Sequence, residues 1–294
     1  MIDPQQNKNI PCFYHIPKSA GTYAISLIFL HFRLFRLSQT NWLSLKKETT
    51  RNIVIRHNNK EIARIIGGDP NFICNESSIF KPGDDDTHYT INLNECSPDL
   101  FVNLNVFSII IEPGGFRYHD QIFWFLDDIF ESKKSFKKFN FINFMILREP
   151  IKRAISFFDY INSDKSKHEP THGIIPNKFS EYAKSQYTED SWLIRQFANV
   201  DNSKGITRGN YNTALNTLKT FKLCDIKDTD SFVRNIFKES LNVNLTQQYM
   251  QANGWSTTRN SKSTNPTVID EESRKILQER MKYEIDLYNK LLET

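Results

Sequence analysis

The stretch Pro11-Cys-Phe-Tyr-His-Ile-Pro-Lys-Ser-Ala-Gly-Thr-Tyr23 changes character twice within its length. Residues 11–16 form an apolar and aromatic run bounded by Pro11 and Pro17, the pattern of a short buried strand. Lys18-Ser-Ala-Gly-Thr22 reads as a turn. From 23 to 36 there is neither Gly nor Pro, and Ile25, Ile28, Phe29 and Phe32 recur at helical spacing. Strand, loop and helix therefore open the chain, and His15 falls inside the expected strand, the place of a satisfied core histidine.

The same alternation continues outward. Residues 106–111 (Val-Phe-Ser-Ile-Ile-Ile) and 141–147 (Phe-Ile-Asn-Phe-Met-Ile-Leu) read as buried strands, followed by helices over about 119–130 and 151–161. Pro150 suits the first turn of the second of these. Helices are expected at about 178–185, 190–198, 210–221 and 229–241, with a short strand at 223–226. A loop over 253–266 precedes a final amphipathic helix at about 269–292. Between 50 and 100 the pattern is ambiguous, with strand-like runs at 52–56 and 62–66 and an acidic loop around 82–86. Strands alternating with helices predict an α/β fold with a central parallel sheet flanked by helices on both faces. No linker or internal repeat interrupts 1–294, so one domain is expected.

Composition narrows the function. Hydrophobic residues make up 39% and charged residues 24% of the 294, which excludes a wholly disordered or collagen-like chain. A net charge of +4 allows an anionic ligand and is too small to argue for nucleic acid. No apolar run approaches the roughly 18 residues of a membrane span, and residues 1–9 are polar without a signal-peptide h-region. A soluble, cytoplasmic protein is the expectation. Cys12 and Cys224 sit in strand-like runs, as small core residues do. Cys74 and Cys96 are expected to stay reduced in such a compartment, leaving the sequons at Asn75 and Asn244 idle.

Two constellations can carry chemistry. In Pro17-Lys-Ser-Ala-Gly-Thr22, small residues open a helix, so backbone N–H groups and the positive helix end converge on one spot. Gly21 permits close backbone approach, Thr22 brings a hydroxyl to the helix start, and Lys18 adds a full charge. An ordinary turn and helix cap with a solvated Lys18 is the equally available structural alternative. This is not the Walker pattern, whose Lys follows the last Gly. In Leu147-Arg-Glu-Pro-Ile-Lys-Arg-Ala-Ile-Ser156, Arg148 leaves the carboxyl end of a buried strand and Ser156 lies about two helical turns on. Ligands gather beyond such strand ends in open α/β sheets, so both constellations point the same way. Taken alone, this second constellation reads better as Arg148 paired with a carboxylate and Ser156 filling the helix.

Together, His15-Ile-Pro-Lys-Ser-Ala-Gly-Thr22 and Leu147–Ser156 resemble the sulfotransferases that use 3′-phosphoadenosine 5′-phosphosulfate (PAPS), most closely the carbohydrate-acting branch related to heparan sulfate 2-O-sulfotransferases. Similarities also run through Ser191-Trp-Leu-Ile-Arg-Gln-Phe-Ala198, the helix and strand of 214–226 and Asp286-Leu-Tyr288. Residues 40–105 lie outside the resemblance and are expected to hold a substrate-specificity insert. The resemblance implies a P-loop-like sulfotransferase fold, PAPS as donor, a carbohydrate or other hydroxyl acceptor, and no metal. It places Lys18 at the phosphosulfate, with Ser19, Ala20, Gly21, Thr22 and Tyr23 around the 5′-phosphate, although the family often has Ser or Thr at Tyr23. Arg148 and Ser156 fall at the 3′-phosphate, with Arg259 and Lys262 as further nucleotide contacts. Arg153 belongs to the pattern but faces elsewhere on its helix, where it could equally hold a salt bridge.

Sulfuryl transfer builds negative charge on the bridging oxygen, where Lys18 and backbone donors would act. It also needs a base at the acceptor hydroxyl. The family often places a His directly after a Gly beyond the middle strand. Here the stretch is Pro113-Gly-Gly-Phe-Arg-Tyr-His119, so His119 or Glu112 is left for that role. His119 could equally be a surface histidine at a helix start. His168-Glu-Pro-Thr-His172 matches H-E-x-x-H, but Pro170 denies it the helix that zinc binding needs. The lysines at 133, 134, 137 and 138 read as a solvated face able to attract an anionic acceptor. A catalytically inactive nucleotide- or glycan-binding homologue and a P-loop-type nucleotide kinase remain as alternatives.

Overall fold

A computed structural model of the chain describes residues 9–21, 23–24, 27–28, 52–57, 60–67, 81–82, 88–92, 106–111, 140–163, 175–185, 191–198, 200, 204–242, 244 and 267–293. Eight strands form one sheet in the order β4-β5-β2-β3-β6-β1-β7-β8. They are β1 (Asn9–Tyr14), β2 (Asn52–His57), β3 (Lys60–Gly67), β4 (Lys81–Pro82), β5 (His88–Asn92), β6 (Val106–Ile111), β7 (Asn140–Leu147) and β8 (Lys222–Asp225). Besides the helix that begins at Gly21, whose residues 21, 23–24 and 27–28 are described, the helices bounded among the described residues are α1 (Pro150–Ser163), α2 (Phe179–Lys184), α3 (Trp192–Phe197), α4 (Arg208–Leu218), α5 (Thr229–Leu241), α6 (Glu271–Arg280) and α7 (Lys282–Leu292).

The α/β expectation holds, and the sheet itself is a correction. Strands β6, β1, β7 and β8 run parallel, whereas β3 joins β6 antiparallel and pairs antiparallel with β2. Two residues separate β2 from β3, far too few for a crossover, so that pair must run antiparallel. Strands from the 40–105 stretch thus extend the parallel block into a mixed sheet.

Residues 11–14 and 144–147 are buried without a break, and the two-residue period of a strand sends their alternate side chains to opposite faces. Phe13, Phe144, Ile146 and Cys224 point to one face and pack with Ala24, Leu27 and Ile28 of the helix after β1 and with Val233, Ile236, Phe237 and Leu241 of α5. Phe144 meets Phe13 at 5.1 Å and Phe237 edge-on at 6.3 Å between ring centroids. On the opposite face Tyr14 packs against Phe221 at 4.7 Å and Phe197 of α3 at 6.4 Å. Helices therefore cover both faces of the block. A second core joins Ile151, Ala154, Phe158 and Ile161 of α1 to Phe179, Tyr182, Leu277 and Met281. Cys12 and Cys224 are buried in the core, as expected of core thiols, and burial pushes the Cys224 thiol up to about 12. Cys74, Cys96 and the sequon at Asn75 lie outside the described residues, as does the 119–130 helix.

Three boundaries shift for local reasons. The first strand ends at Tyr14 because its register with β7, from Asn9 opposite Asn140 to Tyr14 opposite Met145, stops there. His15 is therefore in the loop, not the strand. Helix α4 starts at Arg208 because Thr207 caps it, its hydroxyl accepting from Asn210 N at 3.2 Å in a capping box. The final helix is two: the backbone opens at Met281 (φ −99°, ψ 11°), which is buried in the α1 core. Among the described residues no helix is long and apolar enough to cross a membrane.

Candidate functional site

Because β1, β7 and β8 run parallel, the loop after Tyr14, Arg148 after β7 and Asp225 at the end of β8 share one edge of the sheet. The turn Pro17–Ala20 is closed by Ser19 N donating to Ile16 O at 3.2 Å, and Ala24 N donates to Ala20 O at 3.1 Å as the helix begins. Lys18 (φ 64°) and Ala20 (φ 58°) both adopt the left-handed backbone that L-residues rarely occupy. Gly21 is required sterically: a Cβ there would lie 1.8 Å from His15 Cδ2 and 1.9 Å from Nε2. His15 thus braces the loop, its ring stacked 6.1 Å from that of Phe13.

Arg148 ties the two constellations together. Its Nη1 donates to the Lys18 carbonyl at 3.0 Å, and among the described residues this is its single hydrogen bond, leaving the other guanidinium N–H groups available. Lys18 Nζ stands 4.1 Å from the centroid of the Tyr160 ring, on α1. Burial and the neighbouring Arg148 push the Lys18 ammonium below the ordinary lysine range, with Asp159 pulling back. Burial likewise pulls Arg148 down against the attraction of Glu149, Asp159 and Asp225. Two half-buried cations therefore sit side by side, which favours an anion between them.

The surrounding carboxylates are held by their own donors. Glu149 accepts from the backbone N–H of Ile151 at 3.1 Å and of Lys152 at 2.8 Å, capping α1. Asp159 accepts from Thr267 Oγ1 at 2.5 Å. Asp225 accepts from the Tyr288 hydroxyl and from Lys227 N. Burial and Asp225 hold the Tyr288 phenol well above its usual range, so it remains a donor.

The structure brings Lys18, Ser19, Ala20, Gly21 and Arg148 to one place. Ser19 is fully buried, and its hydroxyl has no hydrogen-bond partner among the described residues. Ser156 is half-buried on α1, one helical turn before Tyr160. Tyr23 turns toward α5: its hydroxyl donates to Asp230, which also accepts from Arg234 Nε at 2.8 Å. Arg153 takes the salt-bridge alternative, with Nη2 2.8 Å from Glu284 Oε1. Thr22, Glu112, His119, Arg259 and Lys262 lie outside the described residues, together with the 168–172 string and the lysines at 133–138.

Sequence reading missed Asp159, Tyr160 and Asp225 as members of this cluster. Helical spacing from Ser156 puts Asp159 and Tyr160 on its face, and Asp225 ends β8, the strand that pairs with β7 on its outer side. Those two regularities were the available signals. Among the described residues, no cluster of three or more His, Cys, Asp and Glu is arranged to hold a metal ion. In comparisons with known proteins, the chain matches no family model and no curated protein.

Proposed function

We propose that the chain is a sulfotransferase of P-loop-like fold, transferring a sulfuryl group from PAPS to a hydroxyl of a carbohydrate acceptor. The observation that carries this reading is the 3.0 Å hydrogen bond from Arg148 to the Lys18 carbonyl. It joins two half-buried cations at the carboxyl edge of parallel strands, where a ligand with two separated anionic groups would bridge them. The Ser19 hydroxyl, which has no partner among the described residues, supplies a further buried donor at the loop. Lys18 and the backbone of residues 19–22 take the 5′-phosphosulfate, and Arg148 with Ser156 takes the 3′-phosphate.

In the transfer, the bond from sulfur to the bridging phosphate oxygen breaks as the acceptor oxygen bonds to sulfur. Lys18 neutralises the charge that grows on the bridging oxygen. The acceptor proton passes to a general base, for which His119 is the candidate. No metal is called for, because the departing charge is met by the lysine and backbone donors.

Calorimetric titration of 3′-phosphoadenosine 5′-phosphate, ATP and AMP into wild type and Arg148→Ala tests the reading. Tight binding that needs the 3′-phosphate and weakens about tenfold or more in the variant is expected, the scale of a lost charged hydrogen bond. A preference for ATP, or no binding, overturns it. Turnover with a sugar acceptor then separates an active enzyme from an inactive nucleotide-binding homologue.

A further inference from the structure

Among the described residues, Lys18 carries its charge with no carboxylate within ion-pair distance. Among the described residues its Nζ makes no ion pair, while Arg148 from the end of β7 repels it and Asp159 from α1 attracts it from beyond salt-bridge distance. What the ammonium does meet is the face of the Tyr160 ring, 4.1 Å from its centroid. That is inside the roughly 6 Å within which a ring quadrupole attracts a cation. Tyr160 is 42% exposed, one of two exposed large apolar residues among those described, so the ring is not there to fill the core.

We propose that Tyr160 is a positioning residue for Lys18: its ring face holds the ammonium aimed over the loop without neutralising it. A carboxylate in the same place would anchor the lysine equally well but would cancel the charge that an incoming anion needs. An aromatic face anchors it and leaves the full charge for the ligand. This inference deepens the sulfotransferase reading and rests on it for what Lys18 is held toward. The contact itself does not depend on that reading.

The test follows Lys18 alone. Competitive acylation with acetic anhydride across a pH series, read by mass spectrometry on the Lys18 peptide, gives the pH at which that amine loses its proton. The groups facing it, Arg148, Asp159 and the ring, are unchanged in Tyr160→Phe except for the hydroxyl. Tyr160→Leu keeps an apolar neighbour but removes the ring face, so the midpoint is expected to fall by about half a pH unit, the scale of a partly exposed cation–ring contact. Tyr160→Phe is expected to keep the wild-type midpoint, and Tyr160→Met repeats the aliphatic arm should the leucine variant fold poorly. An unchanged midpoint in both aliphatic variants overturns the proposal, and so does an equal fall in Tyr160→Phe, which would assign the effect to the hydroxyl. No nucleotide enters this experiment. Failure of nucleotide binding therefore leaves it intact, and an unmoved midpoint leaves the nucleotide reading standing.

Discussion

Arg148 Nη1 donates to the Lys18 carbonyl across 3.0 Å, binding residues 130 positions apart in the chain. Lys18 sits in the left-handed region at φ 64°, a conformation that surrounding contacts must hold, and this is one of them. Arg148→Lys separates charge from shape, because lysine keeps the positive charge and lacks the planar fork that can bond a carbonyl and an anion together. We expect stability to fall by about 1 kcal/mol, the net worth of one hydrogen bond, and bisphosphate affinity to fall by about tenfold. Urea unfolding and calorimetry read the two effects. An affinity equal to wild type would mean that charge alone is used at this position.

Anion binding at the site is expected to weaken with rising pH below the range of ordinary lysines. The folded-state pKa of Lys18 is lowered, first by burial and then by Arg148. The ammonium is complete below that value and is lost as pH rises through it. A bound anion favours the charged form, so at high pH binding must take up a proton. Calorimetry of the bisphosphate in buffers of different ionisation enthalpy measures that uptake. Its absence, or its persistence in Lys18→Met, would assign the pH dependence to another group.

The parts of this fold that were legible in the sequence are those with a local period. Val106–Ile111 and the 141–147 run are apolar except at Ser108 and Asn143, and short runs of that kind read as strands. The loop from Pro17 to Thr22 was legible because small residues cluster there between two periodic segments. The 40–105 stretch was only partly legible: its strand-like runs at 52–56 and 62–66 lie close enough to pair antiparallel, but nothing local to them says which neighbour each takes in the sheet. The break at Met281 was hidden for a related reason, since Leu277, Met281 and Ile285 keep helical spacing straight through it. At the site, the Lys18–Tyr160 and Arg148–Asp225 relationships join distant segments, and side chains that converge only after folding leave no periodic trace.

Gly21→Ala should destabilise the protein, and the cause should be His15. The added methyl would stand 1.8 Å from the imidazole Cδ2, so either the ring or the helix start must move. The ring is restrained by its stacking on Phe13. Overpacking of this kind costs about 1–3 kcal/mol. His15→Ala on its own removes the brace, yet in the Gly21→Ala background it also removes the clash. The double variant should therefore be more stable than the sum of the two single losses by about 1 kcal/mol or more. Additive losses in a thermal-unfolding cycle would place the strain elsewhere in the loop.

Arg153 and Glu284 should prove structural, and the form of their coupling distinguishes this from a role at the nucleotide. The pair is buried, 2.8 Å apart, with Glu284 fully enclosed. Glu284 also accepts from Leu193 N at 3.4 Å, so one carboxylate joins α1, α3 and α7. The Arg153 guanidinium lies 5.2 Å from the Trp192 ring. Burial pushes the Glu284 carboxyl up while Arg153 and the α3 amides pull it down, the upward push prevailing. Removing one partner strands a buried charge, so Glu284→Ala or Arg153→Met alone should cost about 3–5 kcal/mol. Replacing both with apolar residues of similar volume, Arg153→Met with Glu284→Leu, should restore most of that loss, because no charge is then left unpaired. If Arg153 acted on the nucleotide instead, the double variant would recover stability and still bind the bisphosphate at least tenfold more weakly. Wild-type affinity in the refolded double variant is the expected result.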